Sequence, residues 1–128
     1  MKKAVYLKSF LLLCFFTLTH TLSAGTHDGN YVYNTEEKDG VMVAQTVYKV
    51  ESGALINHLK HNYAYDDRQR MTEHETLKWS SARQQWEQDM CIRYTYEGKL
   101  VTITYFKWNS KKKEYLLLPE LTGTMEAN

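Results

Sequence analysis

Three histidines, His58, His61 and His74, are the residues of this chain with the most direct claim to metal chemistry. A zinc site gathers ligands through spacings such as H-E-x-x-H or paired cysteines, which return two donors to one face. His58 and His61 stand three apart, and in a strand that spacing places them on opposite faces. His74 lies between Glu73 and Glu75, which point away from it. These spacings assemble no ligand set, so neither a metal nor a cofactor is expected. Asp66, Asp67, Glu73 and Glu75 offer an acid–base pair, and Glu73 and Glu75 do share a strand face. A general acid needs burial or a neighbouring charge to raise its pKa. The surrounding sequence supplies no such setting, so a solvated charged face is the expectation. Cys91 sits two residues from Arg93 on a polar face, with no base positioned to make it a nucleophile. The chain has no Gly-rich phosphate loop and no G-x-S-x-G elbow. No enzymatic activity is expected.

The aromatic residues carry more promise. KWSSARQQW at Lys78–Trp86 and KWNSKKKEY at Lys107–Tyr115 write Lys-Trp, a polar stretch and a second aromatic twice, 29 residues apart. Trp79, Trp86, Trp108 and Tyr115 have the apolar bodies and polar tips that stack on sugar rings or grip a peptide. The competing role is core packing, and it weighs more, because a thin sheet has few other residues to bury. A glycan or protein ligand is the functional expectation. Pairing through sheet edges, in a structural or self-assembling protein, is the alternative.

These residues are held by a repeat. Tyr31–Tyr33, Tyr63–Tyr65 and Tyr94–Tyr96 recur at spacings of 32 and 31, followed by Asn34, Asp66 and Glu97. Then come Tyr48, Trp79 and Trp108, with Leu55, Trp86 and Tyr115 seven residues further on. Fixed offsets at such a period mark repeated supersecondary units. Within a unit the pattern alternates. Trp86, Gln88, Met90, Ile92, Tyr94 and Tyr96 fall on one face, and Cys91 and Arg93 on the other. Leu55, Leu59, Tyr63 and Tyr65 repeat that face. Asp39-Gly40 and Glu97-Gly98 suit tight hairpin turns. The spacing predicts an all-β antiparallel meander of about seven strands, near 30–34, 41–50, 55–65, 70–79, 86–96, 100–108 and 114–118. It is built from β-hairpin repeats of about 31 residues in a curled or twisted single sheet. Pro119 suits its edge.

The leader is read separately. Lys2, Lys3 and Lys8 precede the apolar run SFLLLCFFTLT, which is shorter than the ~20 residues that span a bilayer. Residues 1–24 are expected to be a signal peptide cleaved after Ala24, leaving one domain at 25–128. Leu13 is too large to precede a lipidated Cys14. The chain has 16 Lys and Arg against 15 Asp and Glu; removing the three leader lysines leaves 13 against 15, a formal charge of −2. That balance argues against nucleic acid, and Lys111–Lys113 reads as a solvated turn. Cys91 would then be the sole cysteine, with no internal disulfide. Export to the periplasm or the cell exterior is expected, with no membrane span after leader removal. Oligomeric state is left open.

At Tyr63–Arg70 the chain is similar to the tyrosine-aspartate repeats of Rhs-type proteins, with Tyr63, Tyr65, Asp66 and Arg70 matching and Gln69 in place of a Gly. That likeness spans eight residues and implies β-hairpin units without an activity. Across its leader, its Tyr-x-Tyr-acidic units and Lys107–Asn109, the chain resembles a family of small signal-peptide-bearing proteins of gut Gram-negative anaerobes, a domain of unknown function. The resemblance implies export and an all-β fold, and brings no catalytic or ligand residue with it.

Overall fold

The computed structural model describes residues 30–127; the expected leader and its cleavage point lie outside the described residues. Eight strands follow in order: β1 (Tyr31–Lys38), β2 (Val41–Glu51), β3 (Ala54–Tyr65), β4 (Met71–Ser80), β5 (Gln85–Glu97), β6 (Leu100–Asn109), β7 (Glu114–Leu117) and β8 (Gly123–Glu126). They form one antiparallel sheet in the order β1 to β7, so the meander expected from the short links is what the chain builds. β8 is an addition to that expectation. It pairs with Leu100–Ile103 of β6, in line with β7, which pairs with Phe106–Asn109. The two are one edge strand interrupted by a 3₁₀ turn at Pro119–Leu121. Pro119 lacks an N–H for the ladder, and the chain steps out of the sheet there and returns at Gly123.

The turns follow from local chemistry. Asp39-Gly40 and Ser52-Gly53 have φ of 53° and 79°, and 51° and 80°, the paired left-handed values of a two-residue hairpin. The turns at 81–84 and 110–113 are four residues long. Ser80 Oγ accepts from Arg83 N, Asn109 Oδ1 accepts from Lys111 N and Lys112 N, and Gln84 and Lys113 close the turns at φ 52° and 54°. The two Lys-Trp stretches are therefore equivalent hairpins, as their spacing implies. Tyr48 and Leu55 are not the matching pair. Their turn is two residues rather than four, so Val50 opposes Leu55 and Tyr48 opposes Asn57.

Strict alternation fails at four places, where the ladders pass over Val43, His58, Thr72 and Asp89. Each is a β-bulge, and one extra residue exchanges the faces of everything beyond it. His58 and Asp89 stand at equivalent points, five residues before Tyr63 and Tyr94. Three expectations are corrected by them. Leu55 does not share a face with Leu59, because Leu55 opposes Val50 and Leu59 opposes Val47, which lie on opposite faces of β2. Trp86 does not share a face with Met90 and Ile92. It opposes Trp79, and Glu75 opposes Cys91, which places both Trp86 and Cys91 on the side of Glu73, Glu75 and Trp79. His58 and His61 do not lie on opposite faces either. His58 packs on Tyr31 at 5.4 Å, and His61 Nδ1 lies 3.0 Å from His74 Nε2 on that same side.

The sheet thus has a tryptophan face, with Trp79, Trp86, Trp108, Tyr115 and Cys91, and a tyrosine face, with the three Tyr-x-Tyr pairs and the histidines. Among the described residues only Ala44, Thr46, Val47, Cys91 and Val101 are buried, Cys91 most completely at 1% exposure. No second layer covers either face, so half-burial by neighbouring strands is the ordinary state of its aromatic side chains.

Candidate functional site

The four aromatics singled out in the sequence lie together at one end of the tryptophan face. Trp79 and Trp86 pair edge-on across β4 and β5, with ring centroids 5.2 Å apart and planes at 68°. Trp108 and Tyr115 repeat the arrangement across β6 and β7 at 5.0 Å and 67°. Each pair contributes roughly 0.5–1.5 kcal/mol beyond its buried area. All four rings are half-buried, so neither the core role nor the open platform describes them fully. The Tyr115 hydroxyl donates to Glu75 Oε1 at 2.9 Å, reaching over β5 and β6, and burial followed by that carboxylate raises its pKa.

At this end, the base, the sheet frays in a regular way. The ladder between β3 and β4 stops at Leu59↔Lys78, and that between β5 and β6 at Met90↔Lys107. The hairpins themselves stay paired to their turns. The base therefore divides into three hairpin ends with a cleft in each gap. The cleft between the second and third hairpins has a volume of about 540 Å³ and is flanked by Trp86 and Trp108, one ring from each pair. The equivalent gap between the first and second holds about 400 Å³ and carries Trp79, Tyr31 and His58.

The repeated lysines explain themselves here. Lys78 Nζ lies 3.1 Å from Asp89 Oδ1, and Lys107 Nζ donates to the same oxygen. Each Lys-Trp dipeptide sends its tryptophan to one face and its lysine to the bulge residue Asp89 on the other. Burial raises the Asp89 pKa, but hydrogen bonds from Lys107 and Lys78 outweigh it and hold the carboxyl below its ordinary range. Arg83 Nη1 stands 3.2 Å from Glu87 Oε1, an ion pair by distance though not a well-aligned hydrogen bond. Gln85 and Gln88 bring amides to the cleft, and Lys113 closes its rim. Sequence reasoning passed over Asp89, Lys78, Lys107 and the glutamines. The doubled Lys-Trp was the available signal for the lysines.

The other titratable groups stay apart from this cleft. Burial, with Glu73 adding to it, pushes the Cys91 thiol up to about 11, so it is a neutral thiol at physiological pH. Glu73 pairs with Arg93 at 3.1 Å, and Glu75 accepts from Asn62 at 3.4 Å as well as from Tyr115. On the tyrosine face the pKa values of His61 and His74 are both lowered, chiefly by burial. Among the described residues no three His, Cys, Asp or Glu side chains gather as a metal site would require. No helix among them is long and apolar enough to cross a membrane.

Residues 1–126 match the model of a family of unknown function, DUF3836. The chain belongs to that family. It is 52% identical to a DUF3836 protein of Bacteroides vulgatus ATCC 8482 whose crystal structure superposes with a TM-score of 0.72, covering 76% of this chain and 99% of that one. A DUF3836 protein of Parabacteroides distasonis ATCC 8503 shares the fold at 23% identity and TM-score 0.63, covering 75% of this chain and 87% of that one. A protein of unknown function from Bacteroides fragilis NCTC 9343 does so at 25% identity and TM-score 0.64, covering 73% and 70%. No curated protein matches the chain. The DUF3836 sheet is thus a fold shared with these solved structures.

Proposed function

We propose that this protein is an exported, non-catalytic module that binds a glycan in the cleft between Trp86 and Trp108. The observation that carries the reading is the pair of half-buried indoles on either side of that gap, each backed by a second ring at about 5 Å. A ring braced by an edge-on partner keeps its orientation and loses little entropy on binding, which suits stacking on the apolar face of a sugar. Gln85 and Gln88 offer amide donors and acceptors for hydroxyl groups. The volume, about 540 Å³, is of the size that small-ligand clefts have. The non-catalytic part rests on Asp89, whose two lysine partners hold it ionised, where a glycosidase acid needs its pKa raised. Export rests on the lysine-flanked apolar leader.

The test uses protein recovered after expression with its own leader. Mass spectrometry should find Gly25 as the first residue; a retained Met1 would remove the export reading. Tryptophan emission is then followed against a panel of polysaccharides and peptidoglycan. A shift that saturates, and that weakens at least tenfold in Trp86→Ala and in Trp108→Ala, is expected. No spectral response to any glycan, with a response to a protein partner instead, would overturn the glycan reading.

A further inference from the structure

The charges of this molecule are sorted along the strand axis. Within four residues of the base turns at 52–53, 81–84 and 110–113 stand seven Lys and Arg against three Asp and Glu, a formal +4. Within four residues of the opposite turns, at 39–40, 66–70 and 98–99, four stand against seven, a formal −3. The described chain is thus a dipole whose positive end is the end with the cleft. The carboxylates at the cleft reduce that field without cancelling it: Asp89, one residue outside the count, brings the sum at the base to +3. Glu87 is taken by Arg83, and Asp89 is shared between Lys78 and Lys107. Lys111, Lys112 and Lys113, in contrast, form no ion pair among the described residues. They are carried on the turn that follows Trp108, and its geometry is fixed by Asn109 Oδ1 and by the Lys113 N–H bond to the Asn109 carbonyl at 2.8 Å. Lys113 lines the indole-flanked cleft, Lys111 and Lys112 stand on the same turn, and together these unpaired charges raise the local concentration of anions near its mouth.

We infer that the glycan taken by the Trp86–Trp108 cleft is an acidic one, bearing carboxylate or sulfate groups that the 110–113 turn engages while the sugar rings stack on the indoles. The inference rests on the glycan reading above and adds the substrate class. It also accounts for the lysine run, which local folding does not require: Asn109 accepts from the backbone of Lys111 and Lys112 and places no demand on their side chains.

The experiment compares ligands that share a sugar backbone and differ in their charged groups. Polygalacturonate is set against its methyl ester, and chondroitin sulfate against its desulfated form, with single-stranded DNA as a polyanion without sugar hydroxyls at its surface. Binding is read from tryptophan emission of the exported protein. At low ionic strength the acid should bind about tenfold tighter than its ester, a gap that narrows as salt shortens the Debye length to ~8 Å near 0.15 M. The two pairs show whether carboxylate or sulfate is preferred. The K111Q/K112Q/K113Q variant should close the gap, and K38Q/K99Q, which removes charge from the opposite end, should keep it. An unchanged melting midpoint shows that each variant is folded. Equal affinity for acid and ester, or a gap that survives the triple variant, overturns the inference while leaving glycan binding intact. DNA binding as tight as polygalacturonate would overturn it too, since charge alone would then suffice. Failure of every glycan, charged and neutral, would instead bring down the reading on which the inference rests.

Discussion

At both ends of this sheet every second ladder gives out before the turn, yet the two ends treat the resulting gaps differently. At the tip the ladders between β2 and β3 and between β4 and β5 stop at Ala44↔Asn62 and Glu73↔Arg93. There the second tyrosine of two of the three Tyr-x-Tyr pairs bridges the gap. Tyr65 donates to the Met42 carbonyl at 2.7 Å, and Tyr96 to the Met71 carbonyl at 2.8 Å. Met42 and Met71 each stand just before a bulge, so the hydroxyl takes the place of a ladder bond. Arg70 lies over the Tyr96 ring at 4.3 Å, and Asp66 holds Arg70 at 2.8 Å. At the base the gaps stay open, lined by indoles and rimmed by lysines. The same repeat yields bridged gaps at the tip, where a cleft of about 320 Å³ still remains beside Tyr63 and Tyr65, and unbridged gaps at the base, because a phenol hydroxyl spans a strand gap while an indole stays on its own hairpin. Structural tyrosines and available tryptophans are the two products of one unit.

That contrast can be broken by substitution. The largest effect is expected at the base. Trp108→Ala should cost about 2–3 kcal/mol, below the ~3–5 of a fully buried ring, and should abolish the glycan response. A melting midpoint unchanged within a degree, with binding lost, would make the ring pure binding surface and sharpen the contrast. At the tip, Tyr96→Phe and Tyr65→Phe each leave a carbonyl without its donor, for a loss of about 1–2 kcal/mol in denaturant titrations and no change in ligand response. Lost binding in either variant would erase the division of labour.

A smaller effect lies between the ends, at His61 and His74. Their folded pKa values are depressed below the ordinary 6.5, so the folded state resists protonation. The stability they allow is complete above about pH 6.5 and declines as the pH falls below it, because the unfolded chain takes the protons first. The contact between His61 Nδ1 and His74 Nε2 at 3.0 Å also requires one ring to be neutral. Melting should drop by a few degrees between pH 7.5 and 5.5, and less in His74→Gln. An equal drop in that variant would place the cause elsewhere. The smallest effect is a gain. Gln69 occupies the left-handed region at φ 59°, which favours Gly. Gln69→Gly should stabilise the tip by roughly 0.5 kcal/mol, net of its lost bond to the Asp39 carbonyl. A loss measured by thermal melting would show that the bond outweighs the strain.

Much of this was legible beforehand. The 31-residue spacing of the tyrosines and the doubled Lys-Trp stretch placed seven strands and set Trp79, Trp86, Trp108 and Tyr115 at repeated offsets. Hairpin pairing is local, and turn length fixes it. The short polar strand at Gly123–Glu126 was missed because it shows no alternation and is recruited only by the free edge of β6. The face of Trp86 and the partnership of His61 with His74 were missed for another reason. A bulge leaves no mark in composition, since His58 and Asp89 are unremarkable strand residues until the ladder skips them.

The sequence by itself determined the repeat, the hairpins and the meander, because those depend on spacings along the chain and on residues that tolerate tight turns. Only the assembled sheet decided which side chains share a face, that Lys78 and Lys107 converge on Asp89, and that hydroxyl groups bridge the strand gaps at the tip but not at the base. Those outcomes follow from bulges and ladder ends, where the twist carries adjacent hairpins apart, and a one-residue shift in register reverses every side chain beyond it.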